Sequence, residues 1–312
     1  MSLLLNKSLS PLDLLEKKSL FKDYVQKNKS FLSTHSFVNV FIWKDFFQFR
    51  FETVGRNLCV FAKNEIGTFL YLPPLGECFS NSVIKECFNR MEDGDHRNGV
   101  SRIENVDQKQ IALFSSGEYS LNLKSYDYIY YRRDIVDLIG NPYKDKRSLY
   151  NFFVKHYRYR FIPYEKMMQE ECLHLYERWA QDHIKRHTDP IFLQMIEDNR
   201  IVHRTAFEFY RELGVAGWVV EVNGQLKGYT FGYPLSQDMF CVLFEIVDLG
   251  IKGLPVYIFR EFCHDRVLQR YKFINAMDDF AMPNIEKTKL SYQPSFLLPS
   301  YTIRKKSTKV AE

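Results

Sequence analysis

Long apolar runs are missing from this 312-residue chain. No stretch approaches the ~20 consecutive apolar residues that a bilayer-spanning helix needs. The opening Met1-Ser-Leu-Leu-Leu-Asn-Lys7 is too short an apolar run for a signal peptide, and Asp13 and Glu16 follow soon after. Both absences lead to the expectation of a soluble, cytoplasmic protein. Cysteines are few and scattered (Cys59, Cys78, Cys87, Cys172, Cys241, Cys263), with no Cys-x-x-Cys pair. That usage excludes a disulfide framework and a zinc ribbon and fits reduced thiols. Gly-x-Ser-x-Gly, Walker A and Rossmann fingerprints are missing too, and nothing supports a nucleophilic serine or cysteine. His183 and His187 stand one helical turn apart without a recognisable third ligand, so no metal is expected. Tryptophan is scarce at three residues, yet aromatics reach 16% through 27 Phe and 20 Tyr. With 46% hydrophobic residues the chain can fill packed cores, and its length suits two domains.

Apolar periodicity and turn residues predict helices over 13–28 and 36–45 and strands over 46–53, 57–63 and 67–72. A helix over 81–91 and strands near 100–106 and 119–131 follow, and residues 133–139 read as one or two helical turns closed by Gly140. Asn141-Pro142 then opens a helix to about 157, with Asn as N-cap and Pro at its first position. A long amphipathic helix over 164–186 carries Met168, Cys172, Leu175 and Trp179 on one face; Asp189-Pro190 repeats the cap, and Gly214 ends that helix. Asn223-Gly224, between strands 215–222 and 225–232, signals a type I′ hairpin. A strand over 239–247, a helix over 254–269, a strand over 271–276, a short helix and a last strand near Tyr301 complete the order. Each half thus places a β-meander before a helix, a strand, a further helical element and a last strand. The expectation is an α/β protein of mixed sheets, divided into residues 1–140 and 141–312.

The net charge is +5, and residues 121–160 alone match it, with nine cations against four anions. Such an excess attracts phosphate-bearing partners or is a solvated basic face. Lys144, Lys146 and Arg147 crowd the start of the Asn141 helix, where the dipole disfavours cations and free N–H groups favour an anion. Either a phosphate binds there, or Asp145 with Asp134 or Asp137 neutralises the cluster. Tyr126, Tyr128 and Tyr130 alternate through the neighbouring strand as a core face or as stacking platforms for bases. Glu245 sits in an apolar strand, Cys241-Val-Leu-Phe-Glu-Ile-Val247, where desolvation raises a carboxyl pKa toward that of a general base unless Lys227 pairs with it. Past the 271–276 strand come Asn275, Asp278, Asp279, Lys287, Lys289 and Tyr292, polar groups at the strand end where open α/β sheets form crevices.

Asn275-x-x-x-Asp279, then Lys287-x-Lys289-x-Ser291-Tyr292-x-Pro294, with Lys146-Arg147 upstream, resembles the bacterial DUF2156 family. That family is similar to the C-terminal catalytic domain of phosphatidylglycerol lysyltransferases. Ala281 stands where the family pattern has Gly, and Ile246 where a Lys commonly follows the acidic position of Glu245. The resemblance implies two tandem GNAT-like domains, an architecture the element order also fits. It further implies an acyl- or aminoacyl-transferase that moves an aminoacyl group from a tRNA-type donor to an amine or hydroxyl acceptor, such as a lipid head group or peptide. Asp279, Lys289 and Glu245 are the expected catalytic groups; Lys144, Lys146, Arg147, Asn275, Lys287 and Tyr292 are expected to bind substrate or phosphate. No permanently bound cofactor is expected; aminoacyl-tRNA or acyl-CoA would be donor substrates, and contact with anionic lipid would be peripheral to the inner membrane. The spacing Gly250-x-x-Gly253 departs from the usual acetyl-CoA loop, which favours the aminoacyl donor. The rivals are a CoA-dependent N-acyltransferase and a non-catalytic protein binding nucleic acid or anionic lipid through a basic groove.

Overall fold

Ser10 and Asp13 close a capping box at the first helix: the Ser10 hydroxyl accepts from the Asp13 N–H, and the Asp13 carboxylate accepts from the Ser10 N–H, both at 3.2 Å. The computed structural model describes residues 9–93, 100–114 and 117–306. The leader reading of Met1 to Lys7 lies outside the described residues. In chain order the elements are α1 (Pro11–Asn28), α2 (Phe37–Ile42), β1 (Gln48–Val54), β2 (Asn57–Lys63), β3 (Thr68–Leu70), α3 (Asn81–Glu92), β4 (Ile103–Asp107) and β5 (Tyr119–Tyr131). There follow α4 (Arg132–Asp137), α5 (Lys144–His156), β6 (Tyr159–Pro163), α6 (Gln169–Ile184), α7 (Pro190–Glu208), α8 (Tyr210–Leu213), β7 (Ala216–Val222), β8 (Gln225–Pro234) and β9 (Met239–Val247). Last come α9 (Leu254–His264), β10 (Phe273–Asn275), α10 (Pro283–Leu290) and β11 (Phe296–Lys305).

Internal contacts divide the chain into two compact units, Met1–Tyr126 with Leu298–Glu312, and Asp127–Leu297. The expected division between residues 140 and 141 falls inside the second unit. In the first unit the strand order is β1-β2-β3-β4-β11-β5. β1 and β2 form an antiparallel hairpin from Gln48↔Lys63 to Val54↔Asn57, and its turn carries Gly55 at φ +61°. β2 is buried at every position but Lys63, and α3 buries Ile84, Cys87, Phe88 and Met91. β3 and β4 meet in parallel at Leu70↔Ile103.

The second unit runs β5-β10-β9-β8-β7-β6. Its pairs are antiparallel except β10 with β9, which run parallel from Phe273↔Met239 to Asn275↔Cys241. The hairpin at Asn223-Gly224 has both central residues at positive φ, 53° and 78°, as a type I′ turn requires. Helices cover both faces. On one, α9 packs Phe259, Phe262 and Cys263 against Tyr130, Trp218, Phe240 and Ile274. On the other, α7 lays His203 over Phe244 at 3.9 Å between centroids, and Phe207 beside Phe231 at 5.0 Å.

Three expectations are corrected here. The helix over 164–186 begins only at Gln169, after a 3-10 turn, and the preceding residues form β6, a half-buried edge strand paired with β7 from Tyr159↔Val222 to Pro163↔Trp218. Its final proline fits an edge, where a missing N–H costs no ladder bond. Leu138, not Gly140, takes the left-handed position that ends α4, at φ 50°. Asn141 does not cap α5: Asn141–Tyr143 form a 3-10 turn after Gly140, and no side chain caps the helix start.

Candidate active site at the strand ends of the second unit

β10 stops at Asn275, and a tight turn replaces it. The Asn275 side chain is fully buried; its Nδ2 donates to Asp127 Oδ2 at 2.8 Å and its Oδ1 accepts from the Met277 N–H at 2.7 Å. That second bond holds Met277 in a left-handed conformation, φ 60°, and Phe280 and Ala281 share it at 54° and 55°. Side chains rarely adopt such backbone angles, so this turn is held by its surroundings. Asp279 contributes: its Oδ1 accepts from the Ala281 N–H at 2.9 Å and its Oδ2 from the Tyr128 hydroxyl at 2.5 Å. Burial, together with that bond to Asp279, pushes the Tyr128 phenol up.

Lys289, on α10, closes the turn from below. Its ammonium donates to the carbonyl oxygens of Ala276 at 2.6 Å, Met277 at 3.2 Å and Asp278. An ammonium has three donors, and all three are used here. Burial holds the Lys289 pKa below its ordinary value, opposed by the negative charges of Asp278, Asp127 and Asp279. Asp279 and Lys289 are joined through Tyr128, whose hydroxyl reaches Asp279 while its ring lies 5.5 Å from the Lys289 Nζ. Asn275, Asp279 and Lys289 are therefore brought together, around the backbone of one turn.

The start of α5 reaches the same region through Tyr292. The Tyr143 hydroxyl donates to the Tyr292 carbonyl at 3.0 Å, and the Lys146 ammonium lies 3.7 Å above the Tyr292 ring. Tyr130 adds a bond from its hydroxyl to the Lys289 carbonyl at 2.8 Å. Burial lowers Lys146 to about 8, against the pull of Asp145. Arg147 turns the other way and donates to the carbonyls of Leu138 and Gly140, which satisfies the end of α4. Lys144 and Lys287 stay exposed on α5 and α10.

Glu245 owes its direction to a bulge. β8 and β9 pair at Phe231↔Phe244 and then at Gly232↔Val242, so Leu243 is the extra residue. A bulge shifts the alternation by one position. Phe240 and Val242 join the α9 face, Phe244 turns to α7, and Glu245 returns to the α9 face beside Cys263 and Tyr292. Lys227, the expected partner, pairs with Asp248 at 3.0 Å instead. Glu245 as a residue is partly exposed, but its Oε2 is cut off from solvent and has no hydrogen-bond partner. Burial alone pushes its carboxyl up to about 8. Thr230, its cross-strand neighbour, is fully buried, and its Oγ1 is unpartnered as well.

The glycine loop before α9 has a packing explanation. Gly253 sits at φ +87°, and a Cβ there would come within 2.2 Å of the Leu149 carbonyl on α5. Sequence reasoning missed Thr230 and Tyr143. Thr230 was readable as a polar residue six positions past the Asn223-Gly224 turn, between Tyr229 and Phe231; Tyr143 gave no signal beyond its neighbours.

Comparison with known proteins bears on the family and the fold. The family described as "Phosphatidylglycerol lysyltransferase, C-terminal" matches residues 27–304. A conserved protein of unknown function from Bacteroides thetaiotaomicron is similar at 24% identity and TM-score 0.83, over 96% of this chain and 99% of that one. The L-PGS structure from Bacillus licheniformis is similar at 15% identity and TM-score 0.66, over 97% and 94%. A tandem GNAT protein from the clavulanic acid biosynthesis pathway is similar at 8% identity and TM-score 0.51, over 98% and 97%. No curated protein sequence matches the chain. The fold is the expected mixed α/β, GNAT-like architecture.

Proposed function

From the premise that this chain belongs to the phosphatidylglycerol lysyltransferase C-terminal family, we propose that it moves an aminoacyl group from a tRNA-type ester donor to an amine or hydroxyl acceptor, with Glu245 as proton acceptor. Its class is that of an acyl- or aminoacyl-transferase. The observation that carries the finer reading is the Glu245 carboxyl, aimed by a bulge onto the α9 face with one oxygen buried and unpartnered. Raised to about 8 by burial, it is a base matched to neutral pH.

In this reaction the acceptor's lone pair attacks the ester carbonyl carbon and its proton passes to Glu245 Oε2. The tetrahedral intermediate collapses with loss of the carbon–oxygen bond to the donor, and the departing oxygen takes up the proton that Glu245 received, which returns the carboxylate. Lys289 and Asp279 position the strand-end turn around the reacting groups, since the Lys289 donors are taken by three carbonyls. Lys144, Lys146 and Lys287 draw in the anionic carrier, and Asn275, Arg147 and Tyr292 fix the backbone that presents them. Among the described residues no helix is long and apolar enough to cross a membrane.

The test is product formation followed by mass spectrometry, with aminoacyl-tRNA and acetyl-CoA as alternative donors and amine and alcohol acceptors. Transfer from aminoacyl-tRNA, reduced at least 100-fold in Glu245→Gln, is expected. Transfer from acetyl-CoA alone moves the assignment to a CoA-dependent N-acyltransferase. Saturable tRNA or lipid binding with no product from either donor leaves a binding protein.

A further inference from the structure

No residue of α10 is buried, although the helix has eight residues. A surface helix normally turns an apolar stripe to the core, and that packing is most of what holds it. Here Leu290 and, just before the helix, Phe280 are 43% and 41% exposed. No side chain caps the helix start at Met282 either. What fastens the segment is polar. The Tyr128 hydroxyl donates to Asp279 at 2.5 Å, the Tyr130 hydroxyl donates to the Lys289 carbonyl at 2.8 Å, and the Lys289 ammonium meets the carbonyls of Ala276, Met277 and Asp278. Beyond the helix Tyr292 is a fixed post. Its ring is buried against Phe259 at 5.0 Å and Tyr130 at 6.4 Å, and its carbonyl accepts from the Tyr143 hydroxyl at 3.0 Å. On the other side of the helix Met277, Phe280 and Ala281 are all left-handed, at φ 60°, 54° and 55°. Such angles are costly for residues with a Cβ, so the closed turn stores strain that opening releases.

We infer that residues 282–291 form a strap, which swings away from the strand-end site on the left-handed turn at Phe280-Ala281 and the Tyr292 post, with the Tyr128 and Tyr130 hydroxyls as its latches. Segments that bury little apolar surface open at far less cost than the whole unit unfolds, and hinge motion concentrates at element ends. Each latch is a single hydroxyl bond, which water can replace when the strap lifts. Lifting also carries Lys289 away from the three carbonyls it meets, so the turn around Asp279 is complete only when the strap is down. The role of this motion rests on the transferase reading: the strap lifts to admit the anionic carrier and closes to rebuild the turn beside it.

Native-state hydrogen exchange of the full chain, read by mass spectrometry at pH 7 across low urea concentrations, compares α10 with α9, whose apolar face is buried. The α10 amides are expected to exchange roughly 100-fold or more faster than those of α9, with a much smaller dependence on urea. Tyr130→Phe should speed α10 exchange roughly three- to tenfold, and Tyr128→Phe, which removes a bond to a charged group, by about tenfold or more. Ile258→Val, in the α9 core away from the strap, should speed α9 alone. An α10 as protected as α9 with the same urea dependence, or α10 exchange that neither tyrosine variant moves, overturns the strap. In the transfer assay kcat/KM for aminoacyl-tRNA should rise in Tyr130→Phe by up to the factor seen in exchange, because the closed state stays the majority. A value unchanged or lowered overturns the entry role. A strap that opens in a protein giving no product from any donor keeps the strap and removes the transferase reading; transfer by a protein whose α10 opens only on global unfolding does the reverse.

Discussion

The Lys146 ammonium rests 3.7 Å above the ring of Tyr292, and this contact ties the start of α5 to the end of α10. A cation on an aromatic face is stabilised by the ring quadrupole, more so where water is excluded. Burial nevertheless lowers Lys146 to about 8, so its charge is lost about two pH units earlier than that of a solvated lysine. If Lys146 recruits a phosphate-bearing carrier, binding of a short RNA hairpin measured by fluorescence anisotropy should contain a component that disappears between pH 7 and 9. Lys146→Arg should remove that pH step, since a guanidinium stays charged throughout. Lys144→Ala, at an exposed position, should weaken binding without changing the step.

Stability should fall as pH rises through the Glu245 window. The carboxyl titrates near 8 in the folded protein and near 4.3 in an unfolded chain. Between those values the folded state holds the extra proton, so unfolding becomes easier with each step upward in pH. The slope contributed by this one group is at most about 1.4 kcal/mol per pH unit. Thermal melts of Glu245→Gln from pH 5 to pH 8 should show a shallower loss than the parent protein, with the variant the more stable of the two at pH 8. Parallel curves would place the Glu245 carboxyl in contact with water.

Ala281 occupies a left-handed position, φ 55°, in the turn that follows β10. The left-handed region costs an L-residue roughly 1–2 kcal/mol, and glycine escapes that strain at some entropic cost. Ala281→Gly should therefore stabilise the protein by about 0.5–1 kcal/mol in urea unfolding. Loss of stability instead would show that the alanine methyl packs usefully in the turn.

Much of the fold could be read because it depends on local patterning. β9 runs from Met239 to Val247 as expected, and the Asn223-Gly224 hairpin follows from two residues that tolerate positive φ. β6 was hidden because a half-buried edge strand of five residues, ending in proline, resembles the gap between two helices. The Glu245 region was legible in chemistry but not in geometry. Its apolar setting gave the raised pKa, whereas the bulge at Leu243 depends on pairing with Phe231 and Gly232 on another strand. The basic cluster was misleading for a similar reason. Arg147 satisfies carbonyls that close α4, a demand set by Leu138 in three dimensions and invisible in the charge count.

Lys289 gives the sharpest separation between positioning and direct participation. Its ammonium meets the carbonyls of Ala276, Met277 and Asp278, so a substitution that removes the amine leaves these acceptors without their partner in a partly buried setting. Hydrogen bonds to a charged group are worth about 1.5–3 kcal/mol, and the lost burial cost of the ammonium offsets part of that. Lys289→Met keeps the aliphatic length and should lower unfolding stability by roughly 2–4 kcal/mol, within the range of a broken buried network. At a temperature where the variant remains folded, a positioning residue lowers kcat and broadens the amide signals of Met277 to Ala281 together. Lys289→Arg, which retains charge and donors in a larger head, should recover part of both. A folded Lys289→Met variant with an ordered turn and a 100-fold lower kcat would instead make the ammonium itself a participant in the reaction.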